Sequence, residues 1–84
     1  MLCFYILNAT SLAKPNAFQQ LLTDTDSIGA DIVIVTETWF KRTHPDETFN
    51  KPGFVCFRKD REGRRAGGVC AYVKHELHAT RIDV

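Results

Sequence analysis

Long apolar runs are missing from this sequence. A helix that spans a bilayer needs about 20 consecutive apolar residues, and the runs at residues 2–7 and 32–35 are far shorter. The first run has no basic residue ahead of it and leads straight into Asn8, so it does not read as a secretory signal. The expectation is a nuclear or cytoplasmic chain, not secreted and without a membrane partner. No sign of charge dominates: 11 Lys and Arg stand against 10 Asp and Glu, a net of +1. Bulk charge therefore does not mark a nucleic-acid binder, and any such role must sit in a local patch. Cysteine is scarce and odd in number, with Cys3, Cys56 and Cys70 far apart. That excludes a disulfide framework and a CxxC zinc knuckle, and leaves three small buried apolar side chains. Five glycines and three prolines are too few for collagen or a low-complexity segment, and no GxGxxG or GxxxxGK phosphate cradle occurs. There is no internal repeat.

What remains is ordinary globular composition, 44% hydrophobic and 25% charged, in 84 residues. There is room for one domain, with a thin core. Residues 2–7 form a continuous apolar run of strand length, read as a central strand covered on both faces. Asn16 and Gln19 have capping-box spacing, and Ala17, Phe18, Leu21, Leu22 and Ile28 recur at helical spacing before Gly29. These signals predict an amphipathic helix over 16–28. Residues 31–37 are the clearest strand, with four consecutive β-branched residues. Strand, helix and strand in that order predict a parallel crossover unit in a covered sheet. Residues 38–53 are irregular. Residues 54–58 and 68–74 read as an antiparallel hairpin with a charged connection, and 78–84 as the start of a further strand.

Two strand ends carry candidate chemistry. Asn8 closes the first strand and Glu37 the second. In a parallel crossover both ends lie at the same edge of the sheet, where ligands of open α/β sheets bind. A carboxylate fixed there suits Mg²⁺, which takes few protein ligands and fills its shell with water and phosphate. The ordinary alternative is a solvated Glu and a turn-forming Asn. Residues 58–65 hold five cations, Arg58, Lys59, Arg61, Arg64 and Arg65, and two anions. Such a loop either contacts phosphates or keeps two strands soluble. Trp39 reads as a core plug, and His44, His75 and His78 as surface residues.

Four motifs occur in order: residues 6–12 (Ile-Leu-Asn-Ala-Thr-Ser-Leu), 31–39 (Asp-Ile-Val-Ile-Val-Thr-Glu-Thr-Trp), the strand and basic run from Phe54 through Arg61, and 66–69 (Ala-Gly-Gly-Val). Together they resemble the beginning of the endonuclease/exonuclease/phosphatase domain, especially the endonuclease of non-LTR (LINE-type) retrotransposon polyproteins. Those typically read Asn-Ala-Arg-Ser-Leu, Asp-Ile-Ile-x-x-Thr-Glu-Thr-Trp, Arg-x-Asp-Arg and Gly-Gly-Gly-Val. The sequence departs from the pattern at Thr10, where Arg is usual, and at Ala66, where Gly is usual. The resemblance implies a truncated, partial two-sheet α/β sandwich, with residues 1–84 as the N-terminal part of one domain. It implies Mg²⁺-dependent (or Mn²⁺-dependent) hydrolysis of a DNA phosphodiester. The family's metal-binding Glu falls on Glu37 and its active-site Asn on Asn8, and the basic loop would face DNA. The family's later Tyr, Asp/Asn pair and terminal Asp-His have no counterpart here, so the chain is expected to be inactive alone and to need the rest of the domain as a partner. The alternatives are another phosphoesterase of the same family, a non-catalytic DNA-binding module, or a relic fragment.

Overall fold

The computed structural model describes residues 2–41, 44–60 and 67–77. Strand β1 (Phe4–Asn8) leads through helix α1 (Ala17–Ile28) to β2 (Ile32–Thr36). A single 3₁₀ turn (Asp46–Phe49) precedes β3 (Phe54–Lys59) and β4 (Val69–Lys74), and a second short 3₁₀ turn (His75–Leu77) follows. The four strands form one sheet in the order β1-β2-β4-β3. β1 and β2 are parallel, with Asn8 opposite Thr36, as the crossover unit requires. β3 and β4 pair antiparallel as the hairpin expected, and β4 also pairs antiparallel with β2. The α/β class and the order strand-helix-strand-hairpin are therefore as the sequence implied. The strand expected over 78–84 lies outside the described residues. Among the described residues no helix is long and apolar enough to cross a membrane.

The two faces of the sheet have different fates. Register places Val33, Val35, Cys70 and Tyr72 on one face, and all four are buried. Helix α1 covers them with Phe18, Leu21 and Thr25, and the Thr25 hydroxyl donates to the Leu21 carbonyl at 2.8 Å. Leu12, Ala30, Phe40 and Phe49 join this core, with Phe18 edge-on to Phe49 at 5.4 Å between ring centroids. The Tyr72 hydroxyl donates to the Phe49 carbonyl at 2.8 Å, so its polar atom is satisfied inside the core. Cys70 lies in this core, whereas Cys3 and Cys56 are half-buried.

The opposite face carries Phe4, Ile6, Ile32, Ile34, Val55, Phe57, Val69, Ala71 and Val73 by the same register. Here Ile6 is 71% exposed and Phe4 54% exposed. This corrects the expectation that the first strand is central and covered on both sides. Among the described residues β1 is an edge strand with alternating exposure. An all-apolar strand shows that both faces avoid polar groups, but not which face the chain itself covers.

The helix ends differ in how they form. The stop at Gly29 is as read: it sits in the left-handed region at φ 65°, and it donates to Asp26 while Ala30 donates to Thr25, a Schellman closure. The capping box does not form. Asn16 is itself left-handed at φ 66° and makes no side-chain cap. Ile28, expected on the apolar face, is exposed.

Two ion pairs pin the sheet's far edge and the helix. The Asp31 carboxylate accepts from the Cys3 backbone N–H at 2.8 Å and pairs with Lys74 at 2.9 Å. The Cys3 amide, then Lys74, holds the Asp31 carboxyl below its usual range. Lys51 is buried against Phe54 and reaches Asp26 of α1 at 2.7 Å.

Candidate active site at the carboxyl edge of the sheet

The edge where β1 and β2 end is built from unusual backbone. Thr10, Ser11, Glu37 and Trp39 all have positive φ, at 47°, 81°, 56° and 56°. Each costs an L-residue about 1–2 kcal/mol, so surrounding bonds must hold it. They are visible. Ser11 N–H donates to the Glu37 carbonyl at 2.8 Å and Leu12 N–H to the Thr38 carbonyl at 2.9 Å. On the other side Trp39 N–H donates to the Gly67 carbonyl at 2.9 Å and Thr38 N–H to Gly68 at 3.3 Å. The segment after β2 is thus clamped between the segment after β1 and the segment before β4. Gly68, at φ 84°, packs so closely that an added Cβ would stand 2.7 Å from the buried Thr38 hydroxyl.

Glu37 sits in the middle of this clamp. Its Oε2 accepts two hydrogen bonds, from the Trp39 indole Nε1–H at 3.0 Å and from the Gly67 backbone N–H at 2.9 Å. Among the described residues its Oε1 accepts none. Trp39 is not the core plug the sequence suggested. It is half-buried, and its polar edge orients a carboxylate. Asn8 ends β1 beside this segment, and its Oδ1 accepts from Thr10 N–H at 3.3 Å and Thr10 Oγ1 at 3.4 Å. It shapes the turn whose next residues bind the Glu37 strand. The structure therefore places Asn8 and Glu37 on neighbouring chain segments of one edge.

The cations separate. Arg58 points to the helix-covered face and ties the irregular segment to β3. It forks onto Asp60 at 3.1 and 2.7 Å, donates to the Lys41 and His44 carbonyls at 2.9 Å each, reaches Asp46 at 3.0 Å, and lies 5.0 Å from the Phe40 ring centroid. The Asp60 hydrogen bonds raise its pKa further above the ordinary arginine value. This is an internal strut, in place of the phosphate-facing role read from the basic run. Lys59 is exposed at the end of β3. Arg61, Arg64 and Arg65 lie outside the described residues, as does His78. His44 is not a plain surface residue: it packs against Phe40 and Phe49, and its Nδ1 accepts from Lys41 N–H at 2.8 Å.

One feature of this edge was not read from the sequence. A cleft of about 330 Å³ is lined by Thr10, Ser11, Ala13, Lys14, Trp39, Lys41 and His44. It joins the turn after β1 to the segment after Trp39, and it brings two lysines and two hydroxyls beside the indole that holds Glu37. The signal was present only as positions shortly after two strand ends.

Comparison with solved structures fixes the architecture. The chain matches a solved AP endonuclease from Archaeoglobus fulgidus with a TM-score of 0.65 and 22% identity. The match covers 87% of this chain and 28% of that one. The two share a fold. The chain spans little more than a quarter of the length of that nuclease. No family model matches the chain, and no curated protein does.

The divalent metal expected from the sequence would need ligands at this edge. Among the described residues no group of three or more His, Cys, Asp and Glu could hold an ion. That excludes, within those residues, a cage of protein ligands of the zinc kind. A single oriented carboxylate, one oxygen of which accepts from none of the described residues, does fit Mg²⁺, which is commonly held by one or two carboxylates plus water and phosphate.

Proposed function

We propose that residues 1–84 are the N-terminal part of an endonuclease/exonuclease/phosphatase domain that hydrolyses DNA phosphodiesters with Mg²⁺ or Mn²⁺, of the retrotransposon type. The observation that carries this reading is the carboxylate of Glu37, pinned through one oxygen at the carboxyl edge of a parallel strand pair. The shared fold with an AP endonuclease supports it, and the order of the four sequence motifs favours the retrotransposon branch over other phosphoesterases.

In this reading Glu37 holds the metal, with Asn8 beside it at the same edge. The metal supplies charge stabilisation at the phosphoryl oxygens. Lys14 and Lys41 line the adjoining cleft and attract the backbone phosphates of the strand without reading its sequence. Trp39 closes one wall of that cleft. The groups that position and activate the attacking water belong to the later part of the domain, and because such constellations act as a unit the chain alone does not turn over. A nuclear or cytoplasmic place of action goes with a DNA substrate.

The test is conversion of supercoiled to nicked DNA in Mg²⁺ by the domain that joins these residues to the later part, beside its Glu37→Gln variant. Nicking by the parent, and a loss of at least about a hundredfold in the variant, is the expected result. Equal nicking by both removes Glu37 from the mechanism. Release of phosphate from soluble esters without DNA nicking would instead favour another branch of the same fold.

A further inference from the structure

We infer that Trp39 is a positioning residue for the metal carboxylate: its indole N–H, with the Gly67 backbone N–H, fills Oε2 of Glu37 and so reserves Oε1 for a divalent cation. This rests on the reading of Glu37 as the metal ligand. A carboxylate oxygen accepts along two lone-pair directions. Two donors at 3.0 and 2.9 Å occupy both directions on Oε2. The carboxylate plane is then fixed, while among the described residues nothing donates to Oε1.

The chemistry of the two donors matters as much as their number. The indole N–H and the backbone N–H are neutral donors and carry no positive charge. A lysine or arginine in the same place would orient the carboxylate equally well, but it would cancel the negative charge that a cation needs. Among the described residues, Arg58 is directed elsewhere, onto Asp60 and the loop carbonyls.

The backbone shows that the contact is built in rather than incidental. Glu37 and Trp39 are two residues apart, and both are left-handed at φ 56°. Those turns fold the indole back onto the residue that precedes it by two. The same segment is held on both sides by Ser11, Leu12, Gly67 and Gly68. Residues that orient a metal ligand typically contribute 10–100-fold to metal affinity.

The experiment is a Mn²⁺ titration of the chain, with free Mn²⁺ followed by electron paramagnetic resonance. The wild type is compared with Glu37→Gln and Trp39→Phe, and circular dichroism monitors the fold of each. Trp39→Phe removes the N–H and keeps an aromatic ring. The expected result is saturable binding in the wild type, about tenfold or more weaker in Trp39→Phe, and absent in Glu37→Gln. A purely structural tryptophan would leave affinity within about twofold of the wild type in Trp39→Phe. That outcome overturns the inference while the Glu37 reading stands. Wild-type binding by Glu37→Gln would instead overturn the Glu37 reading itself.

Because the chain has a single tryptophan, a second measurement needs no substitution at position 39. Mg²⁺ should change Trp39 emission saturably in the wild type and leave it unchanged in Glu37→Gln. Unchanged emission in a wild type that binds Mn²⁺ would contradict the contact, even if Trp39→Phe fails to fold.

Discussion

Gly68→Ala is the substitution that best probes how the sheet edge is held. Two costs act on it. The first is conformational: Gly68 sits at φ 84°, where an L-residue is strained by about 1–2 kcal/mol. The second is steric. The new Cβ would lie 2.7 Å from Thr38 Oγ1, well inside ordinary contact. Thr38 is fully buried, and its hydroxyl oxygen accepts from Phe40 N–H at 3.4 Å, so it has little room to retreat. Overpacking of this kind costs about 1–3 kcal/mol. The sum is about 2–5 kcal/mol, against the roughly 4–12 kcal/mol expected for a domain of 84 residues. Urea unfolding followed by Trp39 fluorescence and by circular dichroism measures it. Repeating the measurement in a Thr38→Ala background separates the two costs. Removing Oγ1 relieves the clash but not the backbone strain, so Gly68→Ala should then cost only about 1–2 kcal/mol. A cost below about 0.5 kcal/mol in the wild-type background, or the same cost in both backgrounds, would refute the packing described for this edge.

Three further outcomes follow from named contacts. Tyr72→Phe leaves the Phe49 carbonyl unpaired in the core and should lower stability by about 1–2 kcal/mol, read as a shift in thermal midpoint. Arg58→Lys keeps the charge but loses the fork onto Asp60 and the ties to two loop carbonyls; a loss of about 2 kcal/mol is expected by chemical unfolding. Asp31 is held below its usual range by the Cys3 amide and Lys74, so its folded-state value lies under its unfolded one. Its contribution is present above about pH 4 and is lost as pH falls through the folded value. Unfolding measured from pH 6 downward should therefore show a shallower fall in Asp31→Asn than in the wild type, and parallel curves would contradict the contact.

The sequence revealed the architecture where signals are local. β-branched runs, a periodic apolar stripe and Gly29 located β2, α1 and the helix stop within a residue or so. Local signals misled where a neighbour decides. Asn16 has the right spacing for a cap, but its left-handed backbone takes its side chain away from the helix amides. β1 looks like an interior strand by composition, yet β4 takes the inner place beside β2. The candidate site divides in the same way. Glu37 and Asn8 were legible because strand ends and crossover topology bring them to one edge. The role of Trp39 was not, because it depends on a strained turn closed by Gly67, which lies 30 positions from Glu37. Arg58 was read with its sequence neighbours as one basic patch, but it forks onto Asp60 within that run and its other partners, Lys41, His44 and Asp46, lie 12 to 17 positions away in the irregular segment. Charge patterning counts cations and says nothing of which are already satisfied.

The central claim is that a divalent cation binds at Glu37. Paramagnetic line broadening tests it most directly. In a ¹H–¹⁵N spectrum of the chain, trace Mn²⁺ should first erase the Trp39 indole Nε1–H and the Gly67 amide, the two protons donated to Glu37, and excess Mg²⁺ should restore both. Broadening centred instead on exposed acids such as Asp46 and Glu47, with Trp39 and Gly67 untouched, would contradict it.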